Sequence, residues 1–152
     1  IREFPSNYLD CPNGDTYLYT LIGQHGGAHF IPSIQPSCYR VHSGGTWSQI
    51  QQIKKDKKAI QSFSCMAAYL NEIADLSTRD YYLDRLVKTQ YVLSHQLRKN
   101  SAFGEAINCF FSSIRYAISY NKWKWIPTIV KEYVNIILRN KSFTWQHRVI
   151  TK

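Results

Sequence analysis

Four cysteines, Cys11, Cys38, Cys65 and Cys109, carry the most versatile chemistry in this chain of 152 residues. Thiols can pair, bind a soft metal or, as thiolates, attack an electrophile. None of the four stands in a Cys-x-x-Cys pair, and the even number admits three complete pairings. His25 and His29 flank Gly26-Gly27, and Cys38 and His42 are four apart. A structural zinc site needs four converging ligands. A place at a helix end explains His25 more simply, so no metal or other cofactor is expected. Cys65 or Cys109 with His95 would make a nucleophile and its base. The even cysteine set and the sequon Asn140-Lys141-Ser142 point instead to a secreted, disulfide-bonded chain, glycosylated at Asn140. Asp80 and Asp84 share a helix face, but Arg79, Arg85 and Lys88 surround them, which suits surface ion pairing better than acid–base catalysis. The chain has no Gly-x-Ser-x-Gly elbow and no phosphate-binding glycine loop. An enzyme is not expected.

The elements that must position these groups read as helices. Residues 1–13 hold two prolines and no period, as an extended arm would. Asp15 or Thr16 can cap a first helix, in which Leu18, Leu21 and Ile22 share a face and Gly26-Gly27 provide a left-handed stop. Residues 29–45 show no period and form a long loop. Helix two starts near Thr46 or Trp47, with a firm part from Ala59 to Leu76 and a stripe of Ile60, Phe63, Ala67, Leu70 and Ala74. Ser77-Thr78-Arg79-Asp80 has the form of a capping box. It opens helix three, which runs to about Arg98 with Leu83, Leu86, Val87, Leu93 and Leu97 inward. Helix four covers Phe103 to Tyr120, with Ile107, Phe110, Phe111, Ile114 and Ile118 inward. Pro127 suits the first turn of helix five, whose apolar side is Ile129, Val130, Tyr133, Val134, Ile137 and Leu138. Residues 141–152 are a tail. No stretch reads as a strand, so the fold class is all-α and 1–152 is a single domain. Short connections make antiparallel neighbours, while the long first connection lets helix one lie parallel to helix two, as in long-crossover cytokine bundles.

Composition narrows the partners. Hydrophobic residues make up 44% of the chain, enough for a core, and the formal charge is +9. That charge favours acidic partners such as a glycosaminoglycan, an anionic surface or an acidic receptor face. The densest run, Lys54-Lys55-Asp56-Lys57-Lys58, reads as a solvated helix face, so nucleic acid is not an expected partner. No apolar run approaches the roughly 20 residues of a membrane span. The chain opens at Ile1 without a basic-then-apolar leader, and any signal peptide is expected to have been removed. One rival class is a basic, aromatic-rich protein acting on membranes or an extracellular coat, for which Tyr120-Asn121-Lys122-Trp123-Lys124-Trp125 would suit an interface. The apolar stripes, sized for a core, weigh against it.

Several segments resemble the type I interferons, nearest their fish branch. Those proteins carry a cysteine before helix one and end that helix in Gln-Met-Gly-Gly, matched by Cys11 and by Leu21-Ile22-Gly23-Gln24-His25-Gly26-Gly27. Their first loop closes in Pro-x-x-Tyr-Arg, matched by Pro36-Ser37-Cys38-Tyr39-Arg40. Lys55-Asp56-Lys57, Asn108-Cys109-Phe110-Phe111-Ser112-Ser113-Ile114 and Trp125 to Leu138, with Ile129-Val130-Lys131, echo later family segments. Lys124-Trp125-Ile126-Pro127 replaces the Cys-Ala-Trp-Glu of many members, and Cys65 has no family counterpart, so the subgroup stays open among helical cytokines of this class.

The resemblance implies a secreted, monomeric five-helix cytokine that bridges two different class II receptor chains and triggers JAK–STAT antiviral signalling. On the family's pattern the high-affinity chain meets Tyr39, Arg40 and Lys131. To these we add His42, Lys124 and Arg139 as basic or amphipathic neighbours. The second chain would meet Arg79, Asp84, Lys88 and Tyr91. A bundle of this kind implies Cys11–Cys109, leaving Cys38–Cys65, with Cys65 as a free core thiol the alternative.

Overall fold

The structure is a computed structural model that describes residues 3–35, 37, 38, 45, 50–131, 133 and 134. Helix α1 spans Gly14–Gly23, α2 Gln52–Glu72, α3 Leu76–Lys99 and α4 Phe103–Ser119. A 3-10 turn at Trp123–Trp125 leads into α5, helical at 126–131 and 133–134. The described residues contain no strand, as the all-α reading expects. The chain gathers into two compact units, Ile1–Thr89 and Gln90–Lys152, divided within α3.

In the first unit the arm is not extended. Tyr8 N–H donates to Pro5 O (2.9 Å) and Cys11 N–H to Tyr8 O (3.2 Å), giving successive turns that fold the arm back. Its rings join a chain of aromatic contacts, Phe4–Tyr8, Tyr8–Tyr17 and Tyr17–Tyr69, with centroids 4.5, 5.4 and 5.8 Å apart. Tyr17, Thr20 and Leu21 form the buried face of α1. Ile22, expected inside, is 50% exposed, because the aromatic floor draws Tyr17 inward and turns Ile22 outward. Asn13 precedes α1 without a side-chain capping bond, and the Asp15 carboxylate accepts from Thr16 N–H instead.

Contacts between α1 and α2 advance together. Asn13 N–H donates to Ser62 Oγ (3.2 Å), Thr20 Oγ1 meets Met66 Sδ (3.4 Å) and Tyr69 OH meets Gln24 Oε1 (3.0 Å). The two helices therefore run in the same direction. Helix α3 returns against α2: Phe63 packs on Tyr82 at 6.0 Å, and the Arg85 guanidinium lies 5.5 Å from the Phe63 ring centre. The core here is Phe63, Met66, Ala67, Leu70, Leu83, Leu86 and Val87. Ala74, expected on the α2 stripe, is outside the helix and exposed.

In the second unit Leu93, Leu97, Ala106, Phe110, Ala117 and Ile129 are buried. Phe110 stacks on Tyr133 of α5 at 4.1 Å, nine residues back from the end of one helix and seven on from the start of the next, so α4 and α5 are antiparallel. All five residues assigned to the inner face of α3 are 3% exposed or less. Pro127 lies in the first turn of α5 as expected.

The helix junctions share one device. Ala74, Ser101 and Asn121 hold φ of 59°, 60° and 55°. After each, an N–H reaches back five residues: Asp75 to Leu70 O (2.9 Å), Ala102 to Leu97 O (2.9 Å) and Lys122 to Ala117 O (2.7 Å). The left-handed residues themselves donate to Asn71 O, Arg98 O and Ile118 O. These are Schellman motifs, which satisfy carbonyls left over at a helix end. Each stands on a residue other than glycine. Conversely, Gly26 and Gly27 take no positive φ; α1 ends three residues earlier, tightened by bonds from Gln24 and His25 to Leu21 O and Ile22 O. The expected capping box at Ser77 is also displaced. Helix α3 starts at Leu76, and Asp75 caps it by accepting from Thr78 N–H (3.1 Å). Asp75 thus closes one helix and opens the next.

Candidate interaction surfaces

Of the residues expected to meet a first receptor chain, Tyr39, Arg40, His42 and Arg139 lie outside the described residues, as does the sequon at Asn140. Lys124 and Lys131 are exposed, one in the 3-10 turn and one on α5. Val130 and Val134 are also exposed (43% and 47%), although expected to face the core, while Ile129 between them and the helix start is fully buried. Basic and apolar side chains thus share the outer side of α5.

The second expected group lies on α3. Arg79 is tied down: its guanidinium donates to Asn71 Oδ1 (2.9 Å) and pairs with Asp80 Oδ1 (3.0 Å). Three of its five N–H donors are therefore spent within the unit, and a partner would meet it as an oriented group rather than a swinging one. Asp84 is half-buried and Lys88 exposed on the same helix. Tyr91, in the other unit, is half-buried and packs edge-on against His95 at 4.9 Å.

The largest departure from expectation is on α4. Its buried face is Ala106, Phe110, Ser113 and Ala117. Ile107, Phe111 and Ile118, expected inside, are 44%, 57% and 47% exposed, and Phe103 joins them at 53%. At about 100° per residue these four form a second stripe roughly 90° round the helix, with half-buried Ile114 between the two. The signal was present in the sequence: adjacent Phe110 and Phe111 cannot both point at one core, and the small residues Ala106, Ser113 and Ala117 mark the closely packed side. Contiguous exposed apolar residues on a helix are the usual material of a binding surface.

A groove of about 340 Å³ opens beside α1, lined by Thr16, Tyr19, Thr20, Gly23, Gln24, Asp75, Thr78 and Tyr82. Its floor is the buried Thr20–Tyr82 hydroxyl pair, 2.6 Å apart. Asp75 is its only carboxylate. Donation from the Thr78 side chain and backbone holds that carboxyl below the usual range, committed to capping. The lining offers hydroxyls and an amide but no acid–base pair.

The structure contains no disulfide bond among its cysteines. Cys11 is buried against α2, with its thiol 3.7 Å from Asn13 O, while Cys38 is exposed. Burial, followed by the neighbouring Cys11 and Asp10, pushes the Cys65 thiol up, the wrong direction for a nucleophile at neutral pH. Among the described residues no three His, Cys, Asp or Glu side chains gather as a metal site, and no helix is long and apolar enough to cross a membrane. Compared with family models, curated proteins and solved structures, the chain matches none.

Proposed function

We propose that the protein is a secreted, interferon-like helical cytokine that brings two different receptor chains together and so starts JAK–STAT antiviral signalling. The observation that carries this reading is the parallel run of α1 and α2 across the long intervening segment, followed by α3 and α4 joined through tight turns. A long first connection between parallel helices is the plan of the long-crossover cytokine bundle. The segment resemblance in residues 11–40 agrees with it. A ligand of two receptors needs contact surfaces rather than a reaction centre. The basic and apolar outer side of α5 would serve the first chain through Lys124 and Lys131. Arg79, Asp84 and Lys88 on α3, with Tyr91 further along, would serve the second.

The exposed stripe of α4 with nearby Trp123 favours one second reading, a basic protein that lies on anionic membranes or an extracellular coat. Two measurements separate these. On the receptor reading, Lys124→Glu with Lys131→Glu lowers binding to responsive cells at least tenfold, Arg79→Glu with Lys88→Glu leaves binding nearly intact but abolishes signalling, and anionic liposomes stay sealed. Leakage from liposomes at sub-micromolar protein, with cell binding indifferent to these pairs, would favour the membrane reading.

A further inference from the structure

We propose that Cys11 and Cys65 are a disulfide-forming pair that fastens the N-terminal arm to α2. Three hydrogen bonds bracket the two residues. Asn7 Nδ2 donates to Cys65 O (3.0 Å), Gln61 Nε2 donates to Asp10 O (2.8 Å), and Asn13 N–H donates to Ser62 Oγ (3.2 Å). Cys11 sits on the arm between Asp10 and Asn13, whose partners are Gln61 and Ser62. Cys65 lies one turn further along α2, three and four residues from those partners and therefore on their side of the helix. Cys11 is only 8% exposed, and its thiol donates to Asn13 O (3.7 Å), the residue whose N–H reaches Ser62 of α2. Cys65 is half-buried. Cys11 lies in the electrostatic surroundings of the Cys65 thiol, and both act on the buried Tyr17 phenol beside them.

The reaction is thiol–disulfide exchange with an oxidant of the disulfide class, such as oxidised glutathione. One cysteine thiolate attacks the oxidant's S–S bond, forming a mixed disulfide and releasing one thiol. The second cysteine thiolate displaces the remaining half and closes the Cys11–Cys65 bond. Two protons and two electrons leave the pair, and the oxidant ends as two thiols. The bond closes a loop that contains α1 and the whole connection to α2, so it restricts the unfolded chain strongly.

The test is a peptide map of the full chain, refolded with mixed reduced and oxidised glutathione and then alkylated. Chymotrypsin is needed, because no Lys or Arg lies between Arg2 and Arg40 and trypsin leaves Cys11 and Cys38 on one peptide. The expected result is a linked Cys11–Cys65 peptide as the main product, retained in C38S and C109S. Reduction should lower the Tm by roughly 5–15 °C. Cys11 or Cys65 recovered alkylated, or linked to Cys38 or Cys109, would overturn the proposal. The wild-type map decides the matter even where a cysteine variant fails to fold.

Discussion

Ala74, Ser101 and Asn121 occupy the same left-handed position in three successive turns, yet they tolerate it unequally. A Cβ in this region is crowded by the following carbonyl, at about 1–2 kcal/mol for most residues, whereas Asn enters it more readily. Ala74→Gly should therefore stabilise the protein by roughly 0.5–1 kcal/mol, since relief of strain is partly offset by a freer unfolded chain. Asn121→Gly should change stability by less than about 0.5 kcal/mol. Urea unfolding of the two variants tests this order; equal effects would contradict it. Tyr17 gives a second prediction. Its hydroxyl donates to Asn7 Oδ1 at 2.6 Å inside the core. Burial first, then Tyr69 and the nearby thiols, raises the phenol well above its ordinary value of about 10. The unfolded phenol ionises more easily, so the stability linked to Tyr17 is complete below about pH 10 and is lost as pH rises above it. Tyr17→Phe should be less stable than wild type at pH 7 by about 1 kcal/mol and should lose less stability between pH 9 and 11.

Among the elements, the long helices were the legible part of the sequence. The inner face of α3 and the bounds of α4 follow from apolar spacing and need no tertiary information. The places of the turns follow too, but their left-handed residues do not, because none is a glycine and the capping pattern points to Ser77 rather than Asp75. The chain instead uses Ala, Ser and Asn at the left-handed position, and one aspartate serves two helix ends. Glycine marks a left-handed turn only when it is there; the backbone can take that conformation without it when two hydrogen bonds hold it. The rotation of α4 differs from the one its large apolar residues imply for a different reason. Its apolar arc is wider than one core can cover, and large side chains attract the inward assignment although small ones permit the closer approach. Paired substitutions separate the two stripes. Phe110→Ala removes a buried ring stacked on Tyr133 and should destabilise by about 3–5 kcal/mol. Phe111→Ala, on the exposed stripe, should cost less than about 1 kcal/mol. Comparable losses would mean that both stripes are buried in solution.

At the scale of the whole molecule, a formal charge of +9 is spread over a helical chain of 152 residues. Such a charge speeds encounter with an acidic partner and makes association sensitive to salt. Cell-surface binding should therefore slow in its on-rate as salt rises from 50 to 300 mM, with a smaller change in off-rate. The candidate surfaces were only partly legible beforehand. Lys124, Lys131 and Lys88 are exposed, Arg79 is already engaged, and the stripe on α4 departs from the inward assignment of its large apolar residues. The central claim is that this chain is a receptor ligand. Its most direct test is STAT phosphorylation in cells of the source animal given the folded protein at nanomolar concentration, beside a reduced and alkylated sample. A receptor ligand gives phosphorylation within minutes that the alkylated sample does not produce. No phosphorylation in any of several cell types, from protein shown by circular dichroism to be helical, would contradict it.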